Sequence, residues 1–454
     1  MLLYIFYLTI MLIVNISFVV CFKIIFKKSL SISPIGGWIL GLFYFICLPL
    51  TLITINHGYT IKFGIVGDWG SVRLNDPSYF WPFIFITTTL ILVSILCTNY
   101  LRSKNNNIKI TDSLLQLSNK GLKKIIFLTL FISLVSWTIG IWSEGSLVSY
   151  FIKNWYLRGQ NLYLEYGNFY VFLSYSFIVN QIIFIAASVL FIIQLIIRKE
   201  NLLFNKTLYL ISLSFIIEMI MSGNRINIAV FGLLFLFILF QLKSRKYILI
   251  ILLLLPLAIT FFSLWSSLRG SLSDVQTGLE ANQTRLDTEG NPQLVKLIDA
   301  TDASGVILLF QVIRDFGNKH EYLFGSTYIR TFYPFVPFNI LGREPEIFTI
   351  QLAKIFEGTN ETSLSATIIG EAYANFGIFA LPFFLILTFF FLKFTSLLNK
   401  KNRILIFHKA VFFILIIEAI RYSFSVILVL SIILIIFIKL FPLNRILILD
   451  KSKD

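Results

Sequence analysis

Eleven stretches of mostly apolar residues, each long enough to cross a bilayer, set what this chain can become. They lie near 2–22, 35–55, 81–101, 125–142, 170–197, 207–222, 226–242, 247–265, 377–394, 404–420 and 424–441. A hydrocarbon core is crossed by about 17–25 apolar residues in helical form. Lipid offers backbone groups no water, so each run must close its hydrogen bonds internally as a helix; a barrel would show short alternating strands instead. Composition agrees. The chain is 57% hydrophobic and 13% charged, against about 25% charged in an ordinary soluble domain. The fold class read from this is an all-α polytopic membrane protein. The last two runs are divided on length: residues 404–438 hold neither Gly nor Pro, and one helix of that length would reach roughly 52 Å. A hairpin is therefore expected near Glu418–Ser423.

A formal net charge of +15 would suggest nucleic acid in a soluble chain. Here the charges divide between two faces. Alternate connections, beginning with Lys23, Lys27 and Lys28, hold 24 of the 38 Lys and Arg residues but only four of the 23 Asp and Glu residues. The remaining connections hold 14 basic and 19 acidic residues. Excess Lys and Arg marks the cytoplasmic side, which puts the N-terminus outside and the C-terminus inside. Cys21, Cys47 and Cys97 all fall in apolar runs, so no disulfide framework is implied. No cleavable leader is evident, because the first run has span length and lacks a basic leader.

One connection is unlike the others. The chain divides into residues 1–265 with eight spans, an external segment 266–375, and residues 376–454 with three spans and a cytoplasmic tail. The external segment has 110 residues and reads as a small, mostly helical cap on the outer face. Pro292 opens a short helix, and Asp302 or Ser304 is placed to cap an apolar run over 305–316. Pro345 suits the first position of a helix over 346–356. Between them runs an aromatic, Pro-broken stretch over 328–338.

Candidate chemistry is sought among ionisable residues at membrane depth, each costing about 2.5–3.5 kcal/mol to insert on translocon scales. Arg225, in the turn Ser222-Gly-Asn-Arg, falls near the outer boundary, where it either lines an outer cavity or snorkels at a hairpin tip. Glu218 lies two turns earlier on the same face, and Glu418 with Arg421 forms a second close pair. Both pairs read most simply as mutual neutralisation. The cap adds Arg269, Arg285, Arg314, Arg330 and Arg343; arginine presents a planar fork suited to phosphate. Any one of them also fits a solvated surface. Glu371, just before the ninth span, is the first candidate base and His320 the second, burial being able to bring a carboxyl into catalytic range. Glu344 and Glu346 are an acid pair without a third ligand type. His57, His320 and His408 are not spaced for zinc, and no phosphate-binding loop or dinucleotide fingerprint is present. No metal, cofactor or nucleic acid is expected.

The Ser-Gly-x-Arg turn at 222–225, the long outer segment in the second half, and Gly370-Glu-Ala-Tyr-Ala-Asn-Phe-Gly377 occur in that order. In this the chain resembles the Wzy-type oligosaccharide repeat-unit polymerases of bacterial O-antigen and capsule synthesis. The resemblance implies a metal-independent glycosyltransferase of the bacterial inner membrane, active outside the cytoplasm. Its substrate would be an oligosaccharide on undecaprenyl diphosphate, and a chain-length regulator protein would be a partner. It implies Arg225, Arg269, Arg330 and Arg343 near the diphosphates and Glu371 or His320 as base. Tyr328, Tyr333 and Tyr373 would lie against sugar rings. An O-antigen-type ligase is the nearest rival, with His320 as the only histidine in the long segment. A flippase for the same lipid-linked unit fits less well, for want of internal repeats.

Overall fold

The computed structural model describes residues 2–27, 30, 32–60, 71–103, 114, 117–143, 145–146, 162–200, 205–222, 226–242, 304–331, 346–358, 364–400, 405–422 and 424–440. They are mostly helical. Six helices are long and apolar enough to cross a membrane: Leu2–Lys27, Pro34–Ile55, Pro77–Ser103, Asn119–Trp142, Ser176–Ile197 and Thr367–Ser396. They coincide with six of the expected runs. The runs at 207–222, 226–242, 404–420 and 424–441 form helices of 16 to 18 residues, and 247–265 lies outside the described residues.

In chain order, α1 is Leu2–Lys27. α2 (Pro34–Leu42) continues through a π-helical turn, Phe43–Cys47, into α3 (Leu48–Ile55). A short antiparallel pair follows, β1 (Gly58–Thr60) with β2 (Ser71–Arg73). Then come α4 (Phe80–Ser103), α5 (Asn119–Ser143), α6 (Leu162–Ile197), α7 (Lys206–Ser222) and α8 (Ile226–Gln241). The long segment contributes α9 (Ser304–Asp315), α10 (Ser326–Ile329), α11 (Phe348–Glu357) and α12 (Thr367–Phe376). α13 (Ala380–Lys400), α14 (Leu405–Tyr422) and α15 (Phe424–Leu440) complete the described chain.

Local sequence explains the entry to the second span. Ser33 accepts a hydrogen bond from the Gly36 N–H at 3.2 Å, and Pro34 follows it as the first helical residue. That pairing satisfies an orphan amide where proline has none to leave unsatisfied. Glycines then let α2 lie against α14. A Cβ on Gly37 would stand 2.6 Å from the Phe413 carbonyl oxygen, and one on Gly41 would stand 2.5 Å from Ile420. Small residues are how membrane helices bring backbones together without a hydrophobic driving force.

α14 ends at Tyr422 and α15 begins at Phe424, so residue 423, within the hairpin expected near Glu418–Ser423, lies outside the described residues. Within the long segment, α9 and α12 are buried among other helices. Val306–Ile313 is buried residue after residue, as is Thr367–Asn375. α9 packs against α4, α12 and the π-helical turn, while α12 packs against α9, α13 and α14.

The two helices run side by side. At one end, Gly305 of α9 touches Thr367 and Ser365 at the start of α12. At the other end, the Gln311 amide nitrogen donates to the Ser71 carbonyl at 2.9 Å and to the Tyr79 hydroxyl at 3.1 Å, beside the β1–β2 pair. α9 has 12 residues, about 18 Å of helix. α11 begins at Phe348, two residues later than expected.

Candidate functional site

The buried helix α12 carries a carboxyl side chain. Glu371 has no exposed surface. An ionisable group so placed is retained against a penalty of several kcal/mol. α12 is held in place at both ends. Its first residue, Thr367, has φ +62°, an unusual backbone for a β-branched residue. Its last turn closes on Gly377, whose N–H bonds to the Tyr373 carbonyl and whose φ is +56°. A Cβ there would stand 2.8 Å from the Tyr322 ring, so only glycine lets the chain reverse from α12 into α13.

Asn375, four residues on from Glu371, lies on the same helix face and is the fastening point. Its amide nitrogen donates to the Thr327 hydroxyl at 2.9 Å and to the Glu371 carbonyl at 2.8 Å. Its oxygen accepts from the Gly325 N–H at 2.9 Å. The Leu323 N–H adds a bond to the Ala374 carbonyl at 2.9 Å. The turn at Gly325, with φ +83°, is thereby clasped onto α12, and α10 follows it.

That clasp sets Tyr328 close to Glu371. The Tyr328 ring stacks on Phe376 at 5.5 Å and on Phe383 at 5.7 Å between centroids. Burial, first, and the Glu371 carboxylate, second, push its hydroxyl well above the ordinary phenol range. The phenol therefore stays protonated. A buried carboxylate near a neutral phenol can take a proton from a bound hydroxyl. Perturbed ionisation at a buried site is a recognised mark of function.

The other sequence candidates disperse. Arg330 follows Tyr328 by two residues and is partly exposed. Tyr373 is on α12 but, two residues from Glu371, on nearly the opposite face. Its hydroxyl accepts from the Trp81 indole nitrogen at 3.4 Å, and its ring meets Phe85 edge-on at 4.9 Å. His320 packs its ring against Phe316 and Phe356, and its backbone N–H donates to the Asp315 carbonyl at 3.1 Å. Those contacts give it a place between α9 and α11. Arg225, Arg269, Arg343 and Tyr333 lie outside the described residues.

Several partners differ from those expected. Arg314 is bound as part of the fold: its guanidinium bridges Asp315 at 2.8 Å and donates to the Tyr79 hydroxyl at 2.8 Å. Glu346 pairs with Lys354. Glu218 accepts from the Gln181 amide, which in turn accepts from Asn227 at 3.2 Å; its expected partner Arg225 lies outside the described residues. Asn375, Gly325 and Trp81 had no role in the sequence reading. The first was visible as the residue one helical turn from Glu371; the others carried no local signal.

No protein-family model matches the chain, and comparison with curated proteins and with solved structures gives no match either.

Proposed function

We propose that this protein is a membrane glycosyltransferase that polymerises oligosaccharide repeat units carried on undecaprenyl diphosphate. The supporting observation is the fully buried Glu371 carboxylate beside the neutral Tyr328 phenol, within a motif and an order of elements that resemble Wzy-type polymerases. In this mechanism Glu371 takes the proton from a hydroxyl at the non-reducing end of the incoming unit. The freed oxygen attacks the sugar carbon bonded to the donor's diphosphate, the new C–O bond forms, and the old one breaks with its electrons passing to the diphosphate. Fixed positive charge stabilises that leaving group; Arg225, Arg269, Arg330 and Arg343 are the residues proposed for it. The reaction takes place outside the cytoplasm, at the inner membrane's outer leaflet, with the N-terminus outside and the C-terminus inside. A chain-length regulator protein is proposed as partner.

The banding of surface glycan tests this. A deletion strain carrying Glu371→Ala, with the variant at wild-type level in the membrane, is expected to make glycan bearing one repeat unit. A normal ladder from that strain would refute the role of Glu371. Complete loss of lipid-attached glycan on deletion would instead indicate a ligase.

A further inference from the structure

The face of α12 opposite Glu371 carries an aromatic group that the proposed chemistry leaves unused. Trp81, in the first turn of α4, is 45% exposed although it opens a membrane-spanning helix. Its indole N–H points to the Tyr373 hydroxyl at 3.4 Å. Tyr322 stands at 6.3 Å from the Tyr373 ring, tilted by 66°. Phe324, 80% exposed, meets Tyr322 edge-on at 6.4 Å.

The group is rigid. Tyr322 is slotted between two glycines of positive φ: a Cβ on Gly317 would stand 2.3 Å from its oxygen and one on Gly377 2.8 Å. Burial, and then the Tyr373 phenol, raise the Tyr322 hydroxyl above its ordinary range, so it remains a neutral donor and acceptor. Trp81 and Tyr322 present partly exposed rings, and the Tyr373 ring lies buried behind them with its hydroxyl toward Trp81; such faces, fixed before any ligand arrives, match the chemistry of a sugar ring: apolar C–H faces ringed by hydroxyl groups. Such preorganisation spares a ligand the cost of ordering its site.

We infer that Trp81, Tyr322 and Tyr373 form a carbohydrate subsite that holds a sugar of the glycan being lengthened, across α12 from Glu371. The subsite rests on the polymerase reading for its ligand. Glu371 and Tyr373 are two residues apart, about 200° around the helix, and a helix with side chains is about 10–12 Å across. An oligosaccharide passing over the Gly377 end of α12 spans that distance; a single sugar does not. The subsite therefore reads a sugar removed from the reacting bond and contributes to choice of repeat unit. A plainer role for Trp81 would be an anchor in the aromatic belt at the membrane surface. Trp142, 84% exposed at the end of α5, serves as the control for it.

The test uses the full-length protein in nanodiscs and, as probe, the repeat-unit oligosaccharide released from the cell's own surface glycan by mild acid. Binding is measured by calorimetry and by saturation-transfer NMR. Wild type and Trp142→Ala are expected to bind alike. Trp81→Ala should weaken binding about tenfold, and Trp81→Phe, which keeps a ring but loses the N–H, by less. Equal binding by Trp81→Ala and wild type overturns the subsite, as does equal weakening in Trp142→Ala. Absence of wild-type binding overturns it too. The polymerase reading fails separately, through a normal glycan ladder in the deletion strain.

Discussion

Replacing Asn375 by Ala should release the turn that carries Tyr328 without touching Glu371 itself. Asn375 makes three hydrogen bonds, to Gly325 N–H, Thr327 hydroxyl and Glu371 carbonyl, and is 1% exposed. Each such bond is worth about 0.5–1.5 kcal/mol net, and partners left buried and unsatisfied raise that figure. The total loss is about 2–4 kcal/mol, borne by the contact between the Leu323–Ile329 turn and α12. Because the spans do not depend on this clasp, the loss should appear as local opening, not as global unfolding. At about 1.4 kcal/mol per factor of ten, even the lower figure accelerates amide exchange roughly thirtyfold. Hydrogen exchange in nanodiscs, followed peptide by peptide, reads this directly over 322–331. Glycan chain length should fall in the same variant, since Tyr328 no longer stands over the carboxylate. Exchange within twofold of wild type at 322–331 would refute the clasp.

The cluster at the end of α9 should impose an acid limit on stability. Burial raises the Asp315 carboxyl, but the Arg314 hydrogen bond and charge, with Lys319, outweigh it and leave it below its ordinary value. Its contribution is thus complete above the unfolded carboxylate pKa of about 3.9 and is lost as pH falls through the lower, folded value. Thermal unfolding in detergent between pH 5 and 3 should show a loss that Asp315→Asn flattens; an unchanged slope in that variant would count against it. Gly37→Ala should part α2 from α14, because the added methyl meets the Phe413 backbone and not a movable side chain. Overpacking of this kind costs about 1–3 kcal/mol, and a melting temperature equal to wild type would contradict the close approach.

The spanning helices were legible because a bilayer reads a single property, apolarity over a fixed length, and six such windows recur as helices. The end of α12 was legible as well: Gly377 closes a motif that stood out in the sequence. The burial of α9 was not. A run such as Val306–Ile313 is too short to span, and its apolar residues are equally suited to the underside of an external cap. What decided its place was the π-helical turn and α4 lying alongside, which no local window contains. The adjacency of Tyr328 and Glu371 was hidden for a similar reason. Both residues were candidates, in different roles, but the contact depends on Asn375 binding a turn some fifty residues earlier in the chain.

The embedding of α9 and α12 also bears on how the molecule is built. α9 packs against the π-helical turn of the second span, and α12 packs against α14, which is synthesised after it. The surfaces that bury α12 are therefore complete only once the chain through α14 has been made. A truncation before α14 would leave α12 without one of them.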